Sequence, residues 1–117
     1  MGKQEVKAQS TINDLMVQVM KMKGISKTEI ADRLQCSKSH VTQVTTTAQN
    51  HWISTVEEVF SAMNETIEFL DKDFKVFNVP GTISTIGQLR KHLGKFYIQF
   101  KSNGFIFEIV EKQTWNE

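Results

Sequence analysis

The sequence predicts an α+β protein, with four to five helices in residues 1–70 followed by a strand, a helix and a β-hairpin in residues 71–117. Two observations support this prediction. Between residues 11 and 63, apolar side chains recur at helical spacing and polar capping residues precede each run, which is typical of amphipathic helices. From residue 95 onward, two alternating apolar runs flank an Asn-Gly pair, a strong short-range signal of a hairpin.

The composition fits one domain, or a small domain with an appendage. The chain has 117 residues, 39% of them hydrophobic and eight of them phenylalanine, which is enough for a core of modest size. The net charge of +1 is unevenly divided. Residues 1–50 carry seven Lys/Arg against four Asp/Glu, whereas residues 51–117 carry seven against nine. The basic excess therefore lies in the N-terminal half, as binding to nucleic-acid phosphates requires.

The expected location is the cytoplasm. A single cysteine excludes an intrachain disulfide and suits a reducing compartment. The polar N-terminus lacks the apolar segment of a secretory signal, and no apolar run approaches the roughly 20 residues that a membrane span needs. We expect no contact with a membrane.

The first predicted helix follows an arm over residues 1–9 that we expect to be frayed. Thr11 can cap the start of this helix and Gly24 can end it. Lys21 and Lys23 suit the negative end of the helix dipole. The inward apolar stripe consists of Ile12, Leu15, Met16, Val19 and Met20.

Residues 25–44 predict two short helices joined by a tight turn. Ser26 can cap the first helix, with Glu29 completing a capping box, and Ser37 can cap the second. Ala31 is small at the point where the second helix has to cross closely. The apolar residues expected to fix this crossing are Leu34, Cys36, Val41 and Val44. The spacing is that of a helix-turn-helix motif.

The same stretch resembles the lambda-repressor and Cro-like (XRE) family of bacterial and phage regulators. The segments SKTEIADRL and CSKSHVTQV, followed by the apolar helix TVEEVFSAM, stand in the order typical of that family, so the resemblance covers residues 11–65. It implies a sequence-specific DNA-binding transcriptional regulator, such as a repressor that acts as a homodimer, and it extends to antitoxins. Gln35 stands at the turn where the family usually has Gly, which costs roughly 1 kcal/mol if that residue is left-handed.

A recognition helix presents its N-terminal residues to base edges in the major groove of DNA. In the predicted helix 37–44, the expected base-reading residues are Ser37, Lys38, Ser39, Thr42 and Gln43. Lys can donate to guanine, Gln can pair with adenine, and the Thr methyl can meet a thymine methyl. The expected phosphate contacts are Ser26, Lys27 and Thr28 at the start of the preceding helix and, as the resemblance implies, Thr45, Thr46 and Thr47 in the following loop. A plain surface connector is the alternative interpretation of that loop.

The next predicted helix begins at Ser54 or Thr55, with Glu57 or Glu58 completing a capping box, and ends near Asn64. Its expected inward residues are Val56, Val59, Phe60 and Met63.

Residues 71–117 show no family resemblance and are interpreted from pattern alone. Residues 74–79 alternate as a short strand, and residues 85–93 form a helix that ends at Gly94. Asn103-Gly104 predicts a two-residue type I′ hairpin turn. The predicted register pairs Phe100 with Phe107 and Ile98 with Ile109 on one face, and Gln99 with Glu108 and Lys101 with Ile106 on the other.

The hairpin has one wholly apolar face, which two strands alone cannot bury. We predict that this face forms the homodimer contact, through Phe96, Ile98, Phe100, Phe107 and Ile109. Residues 12–63 are expected to fold without it. The alternative function is a protein-interaction module, of the antitoxin or inhibitor type, that binds a partner protein through the same phenylalanine-rich hairpin. A structural extension without a partner is a further interpretation.

No combination of residues predicts catalysis. Cys36 and His40 have the spacing of two metal ligands on a helix, but Cys36 occupies the position at which the turn needs an apolar residue. The sequence has no glycine-rich phosphate loop. We therefore expect no enzymatic activity, no metal and no cofactor, and a double-stranded DNA operator as the main partner.

Overall fold

The computed structural model describes residues 5–111, which form five α-helices and a four-stranded mixed sheet. The helices are α1 Ile12–Lys23, α2 Lys27–Leu34, α3 Lys38–Thr42, α4 Ile53–Ala62 and α5 Ile86–Leu93. The strands are β1 Val6–Ser10, β2 Ile67–Leu70, β3 Tyr97–Phe100 and β4 Ile106–Ile109. A π-helical turn, Gln43–Thr47, follows α3 directly. The predicted α+β class is confirmed.

The ends of α1 and α5 lie close to where the sequence predicted them. Thr11 Oγ1 accepts a hydrogen bond from the Asp14 N–H at 3.1 Å, and Gly24 ends α1 with a left-handed φ of 65°. Thr85 and Gln88 form a capping box at the start of α5. The predicted inward stripe of α1 is buried along its whole length: Ile12, Leu15, Met16, Val19 and Met20.

Helix α4 begins earlier than predicted. It starts at Ile53, so Ser54 and Thr55 lie inside the helix, and no side chain caps its N-terminus. The Ile53 N–H instead donates to the carbonyl of Ser84 at 2.8 Å. A distant segment of the chain thus supplies the partner that a local cap normally provides. The inward residues are buried as predicted: Val56, Val59, Phe60 and Met63.

The strand order in the sheet is β1-β4-β3-β2, with β1 parallel to β4 and the other neighbours antiparallel. Two of these strands were not predicted, since β1 lies within the arm expected to be frayed and β2 lies within the predicted helical domain. The prediction of a strand over residues 74–79 is wrong. The only pairing of this segment is an isolated bridge between Val76 and Leu70, and Phe74 has a left-handed φ of 64°.

The predicted hairpin register is also wrong. Ile98 lies opposite Phe107, and the Phe100 N–H donates to the Phe105 carbonyl at 2.9 Å, so the connection spans four residues rather than two. A type I′ turn needs positive φ at both central residues, but only Gly104 has it and Asn103 does not. The register moves by two residues, which is one full side-chain period, so each side chain keeps its predicted face.

The hairpin face predicted to form the dimer contact is not exposed, because the helices of the same chain cover it. Its five residues are between 0% and 7% exposed: Phe96, Ile98, Phe100, Phe107 and Ile109. The ring of Phe100 packs on that of Phe60 in α4, with centroids 5.7 Å apart, and Leu15 of α1 lines the same small cavity as Phe100 and Phe107. Neither a second copy nor a partner protein can dock on this face of the folded chain.

Residues 1–70 and 71–117 do not form two separate units, which corrects the predicted division. Strands β1 and β2 come from the first segment and pair with β4 and β3 from the second. A single apolar cluster contains side chains from α1, α4, α5 and one face of the sheet. On the opposite face, Leu70, Tyr97 and Ile106 form a smaller cluster under Phe74, whose ring centroid lies 4.6 Å from that of Tyr97.

Candidate nucleic-acid interface

The capping box predicted for α2 is present. The Glu29 N–H donates to Ser26 Oγ at 3.1 Å, and the Ser26 N–H donates to Glu29 Oε1 at 2.9 Å. The bond from the Ser26 N–H holds the pKa of the exposed Glu29 carboxyl below its usual value. This hydrogen bond therefore stabilises the fold fully at pH values above the usual Glu pKa. The stabilisation is lost as the pH falls through the lowered pKa of Glu29. Since the Ser26 N–H is already bonded, only its hydroxyl proton remains for a phosphate.

At the turn between α2 and α3, Gln35 adopts the left-handed conformation that glycine would adopt at lower cost. Gln35 ends α2 with φ 55° and ψ 49°, in the left-handed region. The Cys36 N–H then donates to the Ala31 carbonyl at 3.0 Å, closing the end of the helix. The Cys36 side chain is half-buried and packs on the core, as the predicted apolar residue of the turn.

Replacing Gln35 by Gly should stabilise the protein. Glycine adopts the left-handed conformation without a clash at Cβ, so Gln35→Gly is expected to raise the free energy of unfolding by about 1 kcal/mol in urea titrations. Gln49→Gly is the control, because Gln49 is exposed and has no positive φ, and it should give no gain. Equal stability of the Gln35→Gly and wild-type proteins would contradict a strained turn.

Helix α3 is shorter than predicted. It begins after Ser37, whose Oγ accepts the His40 N–H at 3.0 Å, and its α-helical part ends at Thr42 rather than at residue 44. The chain then widens into the π-helical turn. The three threonines of this turn donate their hydroxyl protons to carbonyls four residues earlier: Thr45 to Val41 at 2.8 Å, Thr46 to Thr42, and Thr47 to Gln43 at 3.1 Å. The irregular loop predicted from residue 45 therefore begins only at residue 48.

The residues predicted to read bases lie on the outward side of this short element. Ser37, Lys38, Ser39 and Gln43 are exposed and Thr42 is half-buried, whereas Val41 and Val44 between them are buried. Helix α3 contacts both α2 and the π-helical turn. The sequence pattern thus separated the inward from the outward residues correctly, although it did not foresee the change of helix type at Gln43.

The predicted phosphate contacts divide into two groups. Ser26 and Thr28 are exposed and Lys27 is half-buried at the N-terminus of α2. The prediction that Thr45 contacts a phosphate is wrong. Thr45 is 0% exposed and its hydroxyl donates to the Val41 carbonyl, so it cannot reach a ligand. Thr46 and Thr47 are exposed, but their hydroxyl protons are already donated to backbone carbonyls. A phosphate needs donors, so these two hydroxyls serve it only after rotating away from those carbonyls.

A shallow groove of about 500 Å³ joins three of the predicted phosphate contacts. It runs between the C-terminal end of α1, the N-terminus of α2 and the π-helical turn. Ser26, Lys27 and Thr46 stand at its edges, and its surface is mainly apolar, from Val17, Met20 and Ile25. Lys21 lines it as well. In the sequence, Lys21 is recognisable only as a cation suited to the dipole of α1, because nothing in a linear pattern shows that the end of one helix borders the start of the next.

The cations of this region differ in how they are engaged. Lys23 Nζ lies 2.9 Å from Glu65 Oε2, and Arg33 donates to the Ala62 carbonyl, so both side chains hold the fold together. Among residues 5–111, no carboxylate lies within salt-bridge distance of Lys21, Lys27 or Lys38. These three ammonium groups are the charges that an anionic partner can neutralise.

Metal binding and membrane insertion require features of other kinds. Among residues 5–111, no three His, Cys, Asp or Glu side chains are grouped closely enough to hold a metal ion. No helix of that range has the length and apolar character to cross a membrane. Comparisons of the chain with protein-family models, curated proteins and solved structures found no match.

Proposed function

We propose that this protein is a sequence-specific double-stranded DNA-binding transcriptional regulator. In this proposal α2 and α3 act as a helix-turn-helix, α3 enters the major groove, and the N-terminus of α2 lies against the phosphate backbone. The resemblance of residues 11–65 to the XRE family motivates the proposal, and the arrangement of charged and polar side chains around α2 and α3 supports it.

The observation that carries the proposal is the grouping of free cations and donors around two short helices in contact. Lys21, Lys27 and Ser26 share one groove, and Lys38 opens α3 with no carboxylate of the described residues within salt-bridge distance. A catalytic site concentrates such groups in a deep pocket, whereas a nucleic-acid surface spreads them over exposed elements. The shallow groove and the exposed outward side of α3 fit the second description.

The length of α3 limits how it can read DNA. An α-helix is about 10–12 Å across, which matches the roughly 12 Å width of the major groove, and five residues at 1.5 Å rise make α3 only about 7.5 Å long. Lys38 can donate to guanine O6 and N7, and Gln43 can pair with adenine N6 and N7. Lys27 and Lys21 then remain for the phosphates, which fix the register of the protein on the duplex.

Lys27 is expected to contact a phosphate rather than a base. Lys27→Ala should weaken binding to all duplexes alike and flatten the dependence of log K on log salt by about one unit, because one fewer counterion is released. Fluorescence anisotropy at several salt concentrations measures both effects. Lys101→Ala is the control, since it removes the same charge from a lysine 4.0 Å from Glu68 in the hairpin connection. A loss confined to one base position would instead make Lys27 a base reader.

Binding as a pair of copies remains a prediction from the family resemblance. The hairpin face is excluded as the contact, because it is buried within one chain. On DNA, a two-fold pair should protect half-sites centred about 34 Å apart on one face of the duplex. A footprint confined to one half-site would assign binding to a single copy. A protein-interaction function through the predicted hairpin face has no exposed side chains to support it, because all five residues of that face are buried.

A further inference from the structure

The N-terminus of α5 makes a set of hydrogen bonds with the loop that leads out of the π-helical turn. The Gly87 N–H donates to Asn50 Oδ1 at 2.8 Å, and the Ile86 N–H donates to the His51 carbonyl at 2.9 Å. The first N–H groups of a helix have no partner inside the helix, so Asn50 and His51 satisfy two of those of α5 from 35 or more residues away in sequence.

The same loop is bonded to the π-helical turn and to α1 on its other side. His51 is 5% exposed, and its Nε2 donates to the carbonyl of Val44, inside the π-helical turn, at 2.8 Å. The Asn13 amide of α1 donates to the Ala48 carbonyl at 2.9 Å. A continuous chain of bonds therefore runs from Gly87 and Ile86, through Asn50 and His51, to the backbone that carries Gln43.

Gly87 is the residue that lets α5 approach so closely. A Cβ at this position would lie 3.0 Å from Asn50 Oδ1, tighter than most such contacts, and the Asn50 side chain would have to shift by a few tenths of an ångström. Gly87 does not serve as a helix end or a turn, since it lies within the first turn of α5. Its lack of a side chain is explained by this contact.

We infer that Asn50, His51 and Gly87 are positioning residues for the proposed DNA-reading segment, residues 38–47. Through them, the N-terminus of α5 fixes the position of the π-helical turn. This inference rests on the proposed function, because it assigns Gln43 and the π-helical turn to the DNA surface. It gives residues 71–117 a role in binding without any contact to DNA. In place of a dimerisation extension, they support the reading element.

A double-mutant cycle tests the inference. Asn50→Ala removes an exposed side chain and one hydrogen bond, so amide exchange in residues 43–49 should become about fivefold faster and affinity for the preferred duplex about fivefold weaker. Gly87→Ala should act in the same direction, with a smaller effect, in the wild-type background. It should add nothing in the Asn50→Ala background, because the side chain that it displaces is already gone. Gly81→Ala is the control, since no atom lies within 4 Å of its added Cβ.

Exchange and DNA binding together separate the possible failures. Faster exchange confined to residues 43–49, with exchange in α4 unchanged, is the result expected of positioning, whereas a purely structural role would accelerate both. Wild-type exchange over residues 43–49 in Asn50→Ala would overturn the inference, whatever the DNA result. If the wild-type protein binds no duplex, the proposed function fails, and the exchange data still decide whether α5 holds the π-helical turn.

Discussion

Removing residues 71–117 is expected to abolish cooperative folding of the helical region. The deletion takes away β3, β4 and α5, whose buried side chains fill the same apolar cluster as those of α1 and α4. It also leaves β1 and β2 without their neighbours in the sheet. The fragment 1–70 should show no sigmoidal thermal transition by circular dichroism and should bind an apolar dye. A fragment that melts cooperatively would mean that the helices fold independently.

Two phenylalanines of the hairpin test the same claim without a deletion. Phe100 is 4% exposed and packs on Phe60, whereas Phe105 is 36% exposed. Phe100→Ala should lower the free energy of unfolding by about 3–5 kcal/mol, because it removes a buried ring and leaves a cavity. Phe105→Ala should cost clearly less. Similar losses in urea titrations would contradict the burial of this face in the single chain.

Lys38→Ala and Gln43→Ala are expected to have the largest effects on DNA recognition. Each should cost about 1–3 kcal/mol on the preferred duplex and relax the choice of base at one position, because each removes a donor that the proposed function places at a base edge. Competition binding against duplexes carrying every base at each position measures both quantities.

Lys91→Ala and Gln18→Ala are the matched controls, since they remove the same chemical groups from exposed positions on α5 and α1. They should leave base choice unchanged. If Lys38→Ala and Gln43→Ala keep both the affinity and the base preference of the wild-type protein, α3 is not the reading element.

The helices were predictable because their signals are local. Capping oxygens precede α1, α2, α3 and α5, and the buried stripe of α1 matches its apolar spacing residue for residue. The start of α4 was not predictable in this way, because its first N–H is satisfied by Ser84, which belongs to a remote segment. A pattern over a few residues carries no information about a partner 31 residues along the chain.

The strands were harder to predict for two physical reasons. Strand β1 is exposed along almost its whole length and offers only Val6 and Ala8 as alternating apolar residues, so its pairing with β4 depends on the rest of the sheet. Strand β2 has only four residues. The segment 74–79 alternates more clearly, yet the left-handed Phe74 turns it onto the edge of β2 with a single bridge.

The candidate site was predicted in part. The outward residues of α3 followed from the inward stripe of Val41 and Val44. The burial of Thr45 did not, because hydroxyls that bond back to the preceding turn look the same in sequence as hydroxyls that face solvent. The contribution of Lys21 depends on the packing of α1 beside α2, which only the tertiary structure reveals.

Selection from a pool of randomised duplexes by the full-length protein tests the proposed function most directly. Bound and input pools should be sequenced after several rounds at moderate salt, with the Lys38→Ala variant taken through the same rounds. The proposal predicts one recurrent motif for the wild-type protein and a motif that loses definition at one position for the variant. Recovery of a bound pool with the same composition as the input, from wild-type protein that is folded, would contradict sequence-specific recognition of DNA.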